Sequence, residues 1–175
     1  MPAFFHVDRA RLLAEGATIV YQRWDNVRPP GLQVHVNDLF PEGVTSHGEA
    51  YLLRNERTVP DVASSELEIL YEYVRRALYA SCPSRFQSVF AYTELAEAKA
   101  FRSEYGRPDD PIWELKTDRC FRANMNLITA KQKTVLVQSF LAHQYWEGAA
   151  GPAELGSARW EWLLVPPVRV LRRIE

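Results

Sequence analysis

Apolar positions recur along this chain with two different periods. Leu67, Leu70, Tyr71, Val74, Ala77 and Leu78 follow helical spacing behind the capping-box pattern of Ser65 and Glu68. They predict a helix whose outer, solvated face carries Glu68, Glu72, Arg75 and Arg76. Residues 82–105 switch from one period to the other. Phe86, Ser88, Phe90 and Tyr92 alternate with Gln87, Val89 and Ala91, which predicts a strand. Thr93 then caps a helix on which Leu95, Ala98, Phe101 and Tyr105 recur. A strand feeding a helix N-terminus presents free backbone N–H groups, which suits a phosphate or carboxylate ligand, and equally suits an ordinary connection.

The remaining segments extend this pattern. Residues 1–7 read as a strand, and Asp8 as the cap of a short helix over residues 9–15 with Leu12 and Leu13 inward and Gly16 closing it. Residues 17–22 read as a second strand. Residues 23–60 carry turn signals at Pro29-Pro30-Gly31, Pro41, Gly43 and Gly48 and predict a partly irregular excursion, with Leu32, Val34 and Val36 alternating as a strand. Residues 112–117 alternate, residues 118–129 form a looser segment, and residues 131–147 predict a helix stopped by Gly148. In that helix Tyr145 and Trp146 either pack on the core or face a partner. Residues 158–165 and 168–174 are strand-like runs separated by Pro166-Pro167, where a bulge or sheet edge is expected. The mixture predicts an α+β fold in one domain spanning residues 1–175.

Composition narrows the function classes. Hydrophobic residues make up 47% and charged residues 25% of 175, so the chain is globular. A net charge of −1 removes any global attraction to nucleic acid or an anionic membrane, leaving only local arginines at 119, 122, 169, 172 and 173. Cys82 and Cys120, without CxxC spacing, predict a reducing cytoplasmic compartment and inert core thiols. The apolar runs are too short to span a bilayer, so no membrane partner is expected. His35 and His47 lie 12 positions apart with no cysteine or carboxylate pattern, so no metal site is expected. Gly-rich phosphate loops, nucleophile elbows and HExxH motifs are missing from the sequence.

Glu161 is the residue that demands a reason. It lies between Trp160 and Trp162 on the strand face it shares with Leu163 and Val165, where desolvation would raise its pKa unless a partner compensates. A hydrogen-bonded structural carboxylate, a strand-end residue and a catalytic group all fit that position.

Three segments in order, FHVDR around His6, SVFAYTELAEA around Phe90 and WEWLLVPPVRV around Glu161, resemble the three-part site of the ADP-ribosyltransferase-like superfamily, in particular its small bacterial H-Y-E-type members. The resemblance implies a split β-sheet sandwich with helices packed around it, and NAD as substrate. His6 matches the histidine that holds a ribose of NAD. Phe90 falls where the subgroup carries the aromatic that stacks on nicotinamide, with Tyr92 supplying a hydroxyl if the register moves by two. Arg85 and Ser88 would be further NAD contacts, and Glu161 is similar to the catalytic glutamate of the DNA-modifying toxin branch. The implied activity is transfer of ADP-ribose to an acceptor that is a nucleic acid, a protein or a small molecule, or to water as an NAD glycohydrolase. Likeness to a toxin branch also implies an antitoxin as partner. The alternatives are an inactive nucleotide- or protein-binding module, which Phe90 in place of tyrosine favours, and an RNA 2′-phosphotransferase, which needs a more basic pocket.

Overall fold

The computed structural model describes residues 3–54, 64–129, 131 and 134–175. Its elements in chain order are β1 (Phe4–Val7), β2 (Thr18–Ile19), α1 (Pro30–Leu39), α2 (Ser46–Gly48), which widens into a π turn over Glu49–Leu53, α3 (Ser65–Leu78), β3 (Val89–Ala91), α4 (Leu95–Tyr105), β4 (Ile112–Lys116), β5 (Cys120–Asn124), α5 (Val135–Trp146), β6 (Trp160–Leu164) and β7 (Val168–Arg173). The strands form a four-stranded sheet of order β1-β4-β7-β2 and a three-stranded sheet of order β3-β6-β5, both antiparallel. The fold is thus of the α+β kind. The two sheets meet where Phe5 and Tyr92 exchange both backbone hydrogen bonds, at 2.7 and 2.9 Å.

Alternation along the strands sorts the core into layers. Phe4, Val89, Ala91, Leu115, Leu164 and Val170 fill the space between the sheets. Leu163 and Ala123, on the opposite face of the three-stranded sheet, pack against Leu67 and Tyr71 of α3 and Leu141, Tyr145 and Trp146 of α5. Tyr145 and Trp146 therefore belong to the core and not to a partner surface. Glu161 precedes Leu163 by two residues and points to that same helix-covered side.

Several elements depart from the periodicity. Residues 9–15 form a loop: Asp8 Oδ2 accepts from the Leu13 amide at 2.8 Å, Arg11 sits at φ 57°, and Leu12 is exposed. An Asp that caps can close a turn as readily as it starts a helix. Leu32, Val34 and Val36 lie on helix α1, with Pro30 at its first position. The inward stripe is Gln33, Val36, Asn37 and Phe40, and because Gln33 and Asn37 bond to each other, half of the helical signal is polar. Ser64, not Ser65, caps α3, accepting from the Leu67 amide. Glu68 and Glu72, read as solvated, are buried. The strand expected through Phe86 and Ser88 is confined to Val89–Ala91 after a 3-10 turn at Arg85–Gln87. Residues 118–129, read as loose, contain β5, and Cys120 is exposed. The break at Pro166-Pro167 is neither edge nor bulge: the chain crosses there from the central strand β6 to the interior strand β7. The excursion is described to residue 54, and its remainder, with residues 132 and 133 before α5, lies outside the described residues. Among the described residues no helix is long and apolar enough to cross a membrane.

Helix α2 presses directly on the turn before β3. Thr45 bonds Phe86 and Ser88 carbonyls through its hydroxyl, at 3.2 and 2.9 Å. A Cβ on Gly48 would lie 2.3 Å from the Phe86 carbonyl oxygen and 2.7 Å from the Val44 Cβ. Gly48→Ala is therefore expected to destabilise the protein by about 1–3 kcal/mol, read as a lower urea midpoint at unchanged slope.

Candidate functional site

A cleft of about 130 Å³ opens where the two sheets and α2, α3 and α4 converge. Cavities of roughly this size hold a benzene-sized ring. His6 from β1, Arg85 and Ser88 before β3, Phe90 and Tyr92 at β3, and Glu161 from β6 all line it. The register explains the convergence. Phe90 pairs with Leu163, so Phe90, Tyr92 and Glu161 project from one face of the three-stranded sheet. Ala123 lies opposite Glu161 on β5, and its small side chain leaves room for longer groups to reach the carboxylate.

Arg85 is the hub of the cleft wall. Its Nε and Nη2 donate to Glu68 Oε2 and Oε1 at 2.8 and 3.0 Å, a bidentate clamp. Its Nη1 donates to Glu161 Oε1 at 2.6 Å and to the hydroxyl of Tyr145. Tyr145 in turn donates to Glu161 Oε1 at 2.8 Å. The guanidinium lies 4.5 Å from the centroid of the Phe90 ring. Burial by itself pushes the Glu68 carboxyl up, but Arg85, helped by His47, holds it well below the usual carboxylate range. Burial also favours the neutral form of Arg85, yet Glu68, Tyr145 and Glu161 keep its pKa well above the ordinary value. Arg85 is thus built into the wall, with its fork directed to protein carboxylates. Glu161 has the compensating partner that its apolar surroundings required.

The other predicted residues sit around this hub. His6 Nδ1 lies 2.7 Å from the Phe90 carbonyl oxygen, which can only accept, so Nδ1 carries the proton and the ring is fixed across the junction of the sheets. Ser88 is fully buried and donates to the Ser84 carbonyl at 2.7 Å. Tyr92 directs its hydroxyl to the Met125 sulfur, 3.8 Å away, and burial together with Glu161 raises its pKa, keeping the phenol protonated. Tyr145 is raised for the same first reason. Helix α4 turns Phe101 and Tyr105, not its N-terminus, to the cleft, so the helix-end anion site suggested by the sequence is not where the cleft forms.

Among the cleft residues that sequence reasoning passed over are Glu68 and His47. Glu68 reads as surface because it neighbours other charges on the helix. His47, set aside for want of metal-ligand spacing, stacks on Phe90 and Tyr51 with ring centroids 4.5 and 4.6 Å apart. Its Nε2 lies 3.3 Å from Glu68 Oε1 but makes no aligned hydrogen bond. Burial lowers its pKa, opposed by Glu68. Among the described residues no group of three or more His, Cys, Asp or Glu is arranged to hold a metal ion.

A family model described as a protein of unknown function (DUF2441) matches residues 33–175, more than half of the chain. No curated protein matches the sequence.

Two stability effects follow from the buried charges. Glu68→Gln leaves Arg85 with half its counter-charge and is expected to cost about 3 kcal/mol or more, measured by urea unfolding. In the second, the unfolded chain protonates His47 near the ordinary 6.5 while the folded chain resists, so stability falls as pH drops below about 6.5. Glu68 adds a further loss below about 4.5, since its folded pKa is depressed. His47→Gln should flatten the first loss and leave the second, seen in urea midpoints across that range.

Proposed function

The chain belongs to the DUF2441 family, and we propose that it is an NAD-dependent ADP-ribosyltransferase-like enzyme, with Glu161 as its catalytic carboxylate. The observation that carries this reading is the convergence of His6, Phe90 and Glu161, from three distant strands, on one cleft. Two antiparallel sheets meeting beside those residues are compatible with the split sandwich of that superfamily. The charge of the inner cleft supports it as well. Two carboxylates, Glu68 and Glu161, stand against one guanidinium among aromatic walls, which favours a planar cationic ring such as oxidised nicotinamide.

In the proposed reaction the bond between nicotinamide nitrogen and the ribose C1′ breaks, and its electron pair leaves with the nicotinamide. The ribosyl carbon becomes oxocarbenium-like and is captured by an acceptor nucleophile, which gives up a proton. Glu161 holds the ribose 2′-hydroxyl and stabilises the developing positive charge. His6, fixed through Nδ1 to Phe90, positions the second ribose, and the aromatic wall orients the nicotinamide. Arg85 acts on Glu161 and not on NAD phosphates, because its donors engage Glu68, Glu161 and Tyr145. The acceptor is a nucleic acid, a protein or a small molecule, and water makes the enzyme an NAD glycohydrolase.

One observation favours a second reading, a nucleotide-binding module without turnover. Phe90 has no hydroxyl, and its ring is already in contact with Arg85 and His47, each at 4.5 Å.

Nicotinamide release from NAD, assayed with cell lysate as a source of acceptors, separates the two. Glu161→Gln should lower release at least about 100-fold while the circular dichroism spectrum stays native. His6→Ala should raise the KM for NAD more than the surface change His35→Ala does. Release that survives Glu161→Gln removes the glutamate assignment, and NAD binding without release supports the module.

A further inference from the structure

We propose that Tyr145 is a positioning residue for Glu161, holding one carboxylate oxygen so that the other faces the bound substrate. The inference rests on the ADP-ribosyltransferase reading of the cleft. Glu161 Oε1 receives both of its hydrogen bonds, from Arg85 Nη1 at 2.6 Å and from the Tyr145 hydroxyl at 2.8 Å. Oε2 receives none among the described residues, and it is not among the polar atoms sealed from solvent without a partner. It is therefore the oxygen presented to the cleft, where the ribose hydroxyl and the developing charge would lie.

Arg85 alone does not set that orientation. Its fork is fixed by the two bonds to Glu68, which leaves a single Nη1 contact to Glu161, about which a carboxylate can still rotate. A second donor, arriving from another element on the same oxygen, removes that freedom. Tyr145 comes from α5 and is fully buried, with its ring edge-on to Tyr71 and Trp146 at centroid distances of 5.5 and 4.8 Å, so the hydroxyl has one place to be. Because it accepts from Arg85, its one proton is committed to Glu161. The chemical role is to aim a carboxylate, with no proton transferred.

Tyr145→Phe keeps the ring and removes only the hydroxyl. Nicotinamide release by this variant should show kcat lowered roughly ten- to a hundredfold with the KM for NAD within about twofold of wild type. Tyr79→Phe is the control for anchoring of α5, since Tyr79 donates to Glu147, the residue that caps the C-terminal end of α5, at 3.0 Å and stands outside the cleft. It should leave both constants unchanged. In a Glu161→Gln background, Tyr145→Phe should have no further effect on residual release, because its partner is already altered. A wild-type kcat in Tyr145→Phe, an equal loss in the Glu161→Gln background, or loss of the fold in Tyr145→Phe each overturns the positioning role while leaving Glu161-dependent release intact. Absence of release from the wild-type protein overturns the enzyme reading and this inference together.

Discussion

A guanidinium cannot be buried alone, and the placement of Arg85 dictates much of what surrounds it. Its side chain is 7% exposed, and it is met by carboxylates from α3 and β6 and by a phenol from α5. Those three elements have no reason of sequence proximity to meet. Their helical and strand faces must rotate so that Glu68, Tyr145 and Glu161 reach one point. The network links the helical layer to the three-stranded sheet, and it does so with directional bonds among otherwise non-directional apolar contacts. Buried ion networks of this kind contribute little net stability over a well-packed apolar core. What this one supplies is a fixed charge arrangement beside a cleft.

The cleft has two kinds of wall. One is rigid and ionic, built on Arg85. The other is aromatic, with Tyr51 and Phe90 each against the His47 ring and the rings of Phe101 and Tyr92 5.5 Å apart. His47 belongs to both, touching Phe90 by its ring and approaching Glu68 by its nitrogen. The buried phenols of Tyr92 and Tyr145 stay protonated, and His6 is tied by its Nδ1 proton to a backbone carbonyl.

How much of this was legible in the sequence varied with the physics of each element. Strands β1, β4, β6 and β7 and helices α3, α4 and α5 follow from apolar periodicity, because their inward positions are mostly apolar. Helix α1 was unreadable because Gln33 and Asn37 occupy its inward stripe and satisfy each other. Residues 9–15 read as a helix yet form a loop because Asp8 offers the same hydrogen bond to a turn as to a helix. Of the six cleft residues named from sequence, Glu161 alone stands out by its own surroundings; His6, Arg85, Ser88, Phe90 and Tyr92 are named by resemblance to a family pattern. Strand alternation accounts for the common face of Phe90, Tyr92 and Glu161, whereas Arg85 lies in a turn. Glu68 escaped because a charge on an amphipathic helix ordinarily faces water, and only the long-range meeting with Arg85 reverses that expectation; His47 escaped because its place depends on contacts with Glu68, Tyr51 and Phe90 that no local spacing signals.

The seam between the sheets has a mechanical meaning. Phe5 and Tyr92 close it by two backbone hydrogen bonds, and the next residue, His6, adds a third through its side chain to the Phe90 carbonyl. These bonds lie side by side at the rim of the cleft, so any motion that spreads the sheets must break them nearly together. The cleft consequently resists gradual widening: its mouth is latched at three adjacent points, one of them the ring of His6 on the cleft wall.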